Sequence, residues 1–213
     1  MPAITPSDAL DTAKSCAIHW QKVNASPGAS ALTLRKGYSL ADFTADISAL
    51  ETRLAKLPDI ENAYGIALSE RDGGKPGLKA RLKQFRAAVT NKLGDTAFLG
   101  ELPTQPKTTA TEADFLKAFD DMAGLWARIN AATVSGFTPP LTLGRGYTLA
   151  NFTTELSAQR AAYNKTRQTI ADSDLFRKER NTEAKAIWER IKQYRKGCIE
   201  ALDPGDELLE TVP

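Results

Sequence analysis

Histidine occurs once and cysteine twice in 213 residues, and these scarcities exclude much of the chemistry a helical protein can carry. With His19 alone there is no Glu-x-x-His pair, hence no di-metal site of the four-helix-bundle kind. On its helix His19 lacks the set of further ligands that zinc would need, which leaves a packed or solvated histidine. A serine hydrolase would have no other base to use. Cys16 and Cys198 each align with an apolar residue in an internal repeat, Met122 and Val89. They read as buried core thiols, not as a disulfide or a nucleophile. No window approaches about 18 uninterrupted apolar residues, so no membrane span is expected. The opening Met1-Pro2-Ala3-Ile4-Thr5-Pro6 lacks the basic stretch and apolar run of a secretory signal, and a cytoplasmic protein is expected. No catalytic residue, cofactor or metal ligand emerges.

Excess charge is also lacking. Lys and Arg number 28 against 26 Asp and Glu, a net charge of +2, too small for a field that would steer the chain to a polyanion. The apolar fraction, 42%, is ordinary for a protein with a true core.

What is present is self-similarity. Leu32-Thr33-Leu34-Arg35-Lys36-Gly37-Tyr38-Ser39-Leu40-Ala41-Asp42-Phe43-Thr44 matches residues 141–153 at nine of thirteen positions. The offset of 109 persists ungapped to Arg81-Leu82-Lys83-Gln84-Phe85-Arg86 and Arg190-Ile191-Lys192-Gln193-Tyr194-Arg195. Upstream the offset is 106, pairing Trp20 with Trp126 and Asn24 with Asn130, as expected when a loop gains or loses residues. We read two repeat units, 1–103 and 111–213, joined by a Pro/Thr linker at 104–110.

The periodicity predicts an all-α fold of three helices per unit. Thr5 with Asp8, and Thr111 with Asp114, form start signals. Leu10, Ala13, Ala17, Trp20 and Val23 then share one face, as do Phe115, Phe119, Met122, Trp126 and Ile129. An irregular stretch ends in Leu-Thr-Leu, which reads as a short extended segment able to pair with its copy, and Gly37 and Gly146 supply positive φ for a turn. Ser39 with Asp42, and Thr148 with Asn151, open a second helix. In the first unit it carries a heptad-like seam of Leu40, Phe43, Ile47, Leu50, Leu54 and Leu57. In the copy, Gln159 and Thr166 interrupt the seam. Pro58 predicts a kink or break. Asp72-Gly73-Gly74-Lys75-Pro76-Gly77 predicts a helix stop, and a helical hairpin is expected there and near Asn181. Leu78, Leu82, Phe85, Val89 and Leu93 mark a third helix, matched by Ile187, Ile191, Tyr194, Cys198 and Leu202. Antiparallel long helices would make a pseudo-two-fold six-helix bundle with first and third helices exchanged between units; two separate three-helix domains are the rival arrangement.

Two groups of residues are candidates for binding. Arg35, Lys36 and Tyr38, with Arg145 and Tyr147, sit in the most similar stretch and are candidate interaction residues. The window 177–196 holds eight basic residues against three Glu. Its members Arg177, Lys178, Arg180, Lys185, Arg190, Lys192, Arg195 and Lys196, with Trp188 and Tyr194, are candidates for nucleic acid. The Gly-Gly-Lys at 73–75 lacks the spacing and preceding strand of a phosphate loop. The expectation is a non-catalytic structural or protein-interaction module, with a protein partner or self-association. A nucleic-acid-associated protein is the alternative, and a small-molecule binder or enzyme with a pocket between the repeats is a second one.

Overall fold

A computed structural model of the chain describes residues 5–26, 31–94 and 96–213; Met1 to Ile4, on which part of the leader reading rests, lie outside them. Among the described residues the fold is all-α, with helices α1 (Pro6–Asn24), α2 (Leu40–Lys92), α3 (Glu112–Ala131), α4 (Leu149–Ala201) and the short α5 (Glu207–Glu210). No strand forms among them. Each expected start signal caps a helix. The amide of Asp8 donates to Thr5 Oγ1 at 3.1 Å and that of Asp114 to Thr111 Oγ1 at 3.2 Å. The amides of Ser39 and Thr148 donate to Asp42 and Asn151 at 2.8 and 3.0 Å, satisfying donors that a helix start leaves free.

The helix stops are a correction. Neither Pro58 nor the segment 72–77 ends α2, which is helical over all 53 residues from Leu40 to Lys92, and α4 likewise runs unbroken through Asn181. Each repeat therefore contributes two substantial helices, not three, and no hairpin forms at either place. Three glycines and a proline inside a helix cost several kcal/mol by propensity, so tertiary contacts must offset them. Gln159 Nε2 donates to the Arg71 carbonyl at 2.8 Å, and Thr166 Oγ1 to that of Ala67 at 3.0 Å. Lys75 lies over the rings of Tyr163 and Phe115, 5.6 and 5.9 Å from their centroids. Arg71 and Lys75 bind Asp72 and hold its carboxyl at about 2. The two residues that interrupt the α4 seam thus bond the α2 main chain just ahead of the glycine-rich segment.

The chain divides into two compact units: Met1–Asn62 with Ala171–Pro213, and Ala63–Ile170, here named terminal and central after their place in the sequence. Each draws on both repeats, so the units do not follow the repeat limits. In the terminal unit α1 packs on the start of α2 and the end of α4, with Trp20 stacked on Tyr194 at 4.9 Å and beside Phe43 at 5.8 Å. Arg53 of α2 binds Glu179 and Glu183 of α4 at 2.6 and 2.7 Å. In the central unit α3 packs on the end of α2 and the start of α4, and Trp126 lies 5.3 Å from Phe85 and 6.1 Å from Phe152. These contacts join residues 5–100 to residues 111–210 and remove the rival arrangement of two separate three-helix domains. Within each unit the α2 and α4 segments run antiparallel, since partners fall in α4 as they rise in α2.

Before each long helix the chain is tied to the preceding one. Trp20 Nε1 donates to the Leu32 carbonyl at 3.1 Å while Asn24 Oδ1 accepts from the Leu32 amide at 2.8 Å. Trp126 and Asn130 make the same two bonds to Leu141 at 2.9 and 2.7 Å. The Leu-Thr-Leu segments take their bridge partners inside their own turns, Leu34 with Tyr38 and Leu143 with Tyr147, because Gly37 and Gly146, both at φ 72°, close each turn tightly. Lys36 and Arg145 also have positive φ, 66° and 60°, at a cost of about 1–2 kcal/mol for a residue with a Cβ. We expect Lys36→Gly and Arg145→Gly each to stabilise the protein by up to about 1 kcal/mol, after the greater chain entropy of glycine is counted, as read by urea unfolding.

Candidate functional site

The two turns separate the interaction candidates into different kinds. Arg35, Lys36 and Arg145 are exposed, whereas Tyr38 and Tyr147 are half-buried. Arg190 covers the Tyr38 ring at 4.1 Å and Arg81 covers Tyr147 at 3.8 Å. Tyr38 donates to Asp46 at 2.5 Å, and burial followed by that carboxylate pushes its hydroxyl well above the tyrosine range. The Tyr147 oxygen makes no hydrogen bond of ordinary geometry, although Glu155 and Arg81 lie beside it. Both rings are covered by cations of their own chain and serve the fold.

The basic window is similarly engaged. Arg177 pairs with Glu61 at 3.5 Å and Lys192 with Glu189 at 2.8 Å. Arg180 donates to Asn181, Arg190 to Gln193, and Arg195 to the Pro213 main-chain oxygen at 2.6 Å. Lys178, Lys185 and Lys196 are exposed. Of the aromatics, Tyr194 is wholly buried and Trp188 is half-buried with Arg195 over its ring at 5.6 Å. The structure does bring Arg35 together with Lys192, Arg195 and Lys196, along a groove of about 600 Å³ in the terminal unit that Glu189 and Glu200 also line.

His19 belongs to a buried polar cluster that sequence spacing does not reveal. It is 5% exposed, its Nε2 lies 2.8 Å from the Leu208 carbonyl and its Nδ1 2.5 Å from Tyr194 Oη. A carbonyl only accepts, so Nε2 carries a proton, and on a neutral ring Nδ1 is then the acceptor for the tyrosine hydroxyl. Cys16 and Cys198 are buried in the same core. Burial pushes the Cys16 thiol up to about 11 and raises Cys198 also, which leaves little thiolate near neutrality. The corresponding residues of the central unit, Leu125, Phe85, Met122 and Val89, are all apolar and buried. The cluster fastens α1 to α4 and α5 and presents nothing to solvent. Among the described residues no group of three or more His, Cys, Asp or Glu is placed to hold a metal ion.

An open groove of about 840 Å³ lies elsewhere, between the α2 and α4 segments of the central unit. It exists because the middle of the α2 wall is largely glycine. Gly73, Gly74, Gly77 and Ala80 face Ala158, Ala161 and Ala162 of α4. At Gly74 a Cβ would stand 2.1 Å from Gln159 Oε1, so the glutamine would have to move, whereas one at Gly73 or Gly77 would meet nothing within 4 Å. One end of the groove is marked by Glu70 and Lys165, paired at 2.7 Å, and the other by Arg81 and Glu155 at 3.6 Å. Between the ends the one polar lining side chain is Gln159, 4% exposed. The residues read in the sequence as a helix breaker therefore build this feature, which the hydrophobic pattern gave no reason to expect. No family model matches the chain, and comparisons with curated proteins and with solved structures find no match.

Proposed function

We propose that the protein is a non-catalytic helical module that acts by binding protein, and that the groove of the central unit is the face it binds with. The observation that carries this reading is the groove's makeup: bare Gly and Ala walls that admit close approach of a helix, charged groups confined to the ends, and one amide in the middle. From Glu70 to Arg81 the α2 wall rises about 16 Å, or three helical turns, a length along which another helix can pack closely. A small-molecule or catalytic pocket would need several convergent polar groups, and between its ends this groove has Gln159 alone.

Also part of this reading are the origin of the chain by tandem duplication and a cytoplasmic location. Duplication is supported by the matching caps, turns and tryptophan bonds of the two units. No helix among the described residues is long and apolar enough to cross a membrane.

A photo-crosslinking residue in place of the exposed Ala161 tests the binding face. We expect protein adducts from that position in cells, and their loss when Gly73→Leu fills the groove. Adducts to nucleic acid alone, or protein adducts indifferent to Gly73→Leu, would sink the reading. The groove holding Arg35, Lys192 and Lys196 favours a second reading, nucleic-acid association by the terminal unit. It predicts binding of mixed oligonucleotides that weakens steeply with salt, and no binding at low salt would end it.

A further inference from the structure

We infer that the occupant of the central-unit groove is the same groove of a second copy of this chain, in a two-fold symmetric antiparallel dimer. This rests on the binding face proposed above and specifies what it binds.

A two-fold interface must be complementary to itself: whatever residue i meets at j, j must meet at i. The groove meets that condition. The α2 wall carries an acid, Glu70, at one end and a base, Arg81, at the other, while α4 carries Glu155 and Lys165 in the same way. An axis crossing the helices at the groove's midpoint lays each wall antiparallel on its copy. Glu70 then faces the second copy's Arg81, and Glu155 faces its Lys165, so every acid meets a base. Each end becomes a ring of four alternating charges in place of the existing ion pair.

The middle of the groove points the same way. Gln159 uses one amide hydrogen on the Arg71 carbonyl at 2.8 Å. Its Oε1 lies where a Gly74 side chain would be, in the lining of the groove; covering it with a surface that offers no donor would be penalised. Gln159 sits beside the midpoint of the α4 wall. The axis brings it next to the second copy's Gln159, and the remaining amide hydrogen of each can donate to the Oε1 of the other. A single side chain at the axis supplies both donor and acceptor, which is what a symmetric contact requires. The exposed apolar Ile66, 56% accessible, stands four residues before Glu70 and seven before Gly73, on the same stripe of α2, and extends the apolar face.

Sedimentation of the full chain over a concentration series tests the inference. The expected result is a species of twice 23.1 kDa. Gly73→Leu should return it to monomer with its helical circular dichroism unchanged, since a Cβ at that position would meet nothing within 4 Å. The double variant Glu70→Lys/Lys165→Glu keeps the pair within each chain but sets like charges against each other across the axis; it too should be monomeric. Ile199→Ser, at an exposed apolar residue of the terminal unit, should remain dimeric. A wild-type chain that stays monomeric at every concentration, or a dimer that survives Gly73→Leu or the charge exchange, overturns the proposal. If the wild type is monomeric and Ala161-position adducts to a different protein still form, self-association fails while the binding face stands.

Discussion

Replacement of Trp20 or Trp126 by alanine should cost about 3–5 kcal/mol each, the range for truncating a large buried aromatic, and lower the melting temperature by roughly 10 °C or more. Both indoles have no exposed surface and sit among aromatic rings. Each also holds the loop that leads into a long helix, through Leu32 or Leu141, so truncation leaves a buried carbonyl without its donor as well as a cavity. Trp→Phe keeps most of the packing and loses the bond, and should cost appreciably less. Thermal unfolding followed by circular dichroism measures all four variants. A cost below about 1 kcal/mol for the alanine variants would mean that these rings are not core residues at all.

Leucine in place of Gly74 should destabilise the protein by about 1–3 kcal/mol, the usual cost of forcing atoms into a filled space. Leucine in place of the adjacent Gly73 should instead gain up to about 1 kcal/mol from helix propensity. The opposite signs follow from geometry. The first side chain collides with Gln159 and breaks its bond to Arg71, and the second projects into the open groove. Urea unfolding of both variants reads the contrast. Equal effects would show that Gln159 yields without cost and that the close packing of α2 on α4 is not what holds the glycine-rich segment helical.

Much of the fold is legible along the chain. The caps at Thr5, Ser39, Thr111 and Thr148, the stripes through Trp20 and Trp126, and the positive φ of Gly37 and Gly146 were each readable from a few neighbouring residues, because capping, amphipathic periodicity and turn geometry are local effects. Cys16 and Cys198 were readable as core for a similar reason, since each replaces an apolar residue of an otherwise matching stripe. The central-unit groove was not. Its walls are largely glycine and alanine, and patterns of apolar and polar groups do not register a space that side chains fail to fill.

The course of α2 through Asp72 to Gly77 shows where local reasoning stops. Propensity opposes a helix over that segment, and an isolated peptide of the same residues would not form one. In the folded chain the donors that support it come from Gln159 and Thr166, 88 and 99 residues from their acceptors. The same residues read as flaws when the α4 seam is considered alone. His19 is a parallel case: its partners Tyr194 and Leu208 are 175 and 189 residues away, beyond any spacing rule on its own helix.

The sequence by itself determined that this is a helical protein, where its short helices begin, which faces are buried and how its turns close, because each of those depends on free energies set within a few residues. Only the tertiary structure decided that two expected helices are one, that both repeats enter each compact unit, and that a groove opens over Gly73 and Gly77. Those outcomes depend on burying one segment against another distant in the chain, where many contacts together, Gln159 on Arg71 among them, outweigh the local preference of the residues.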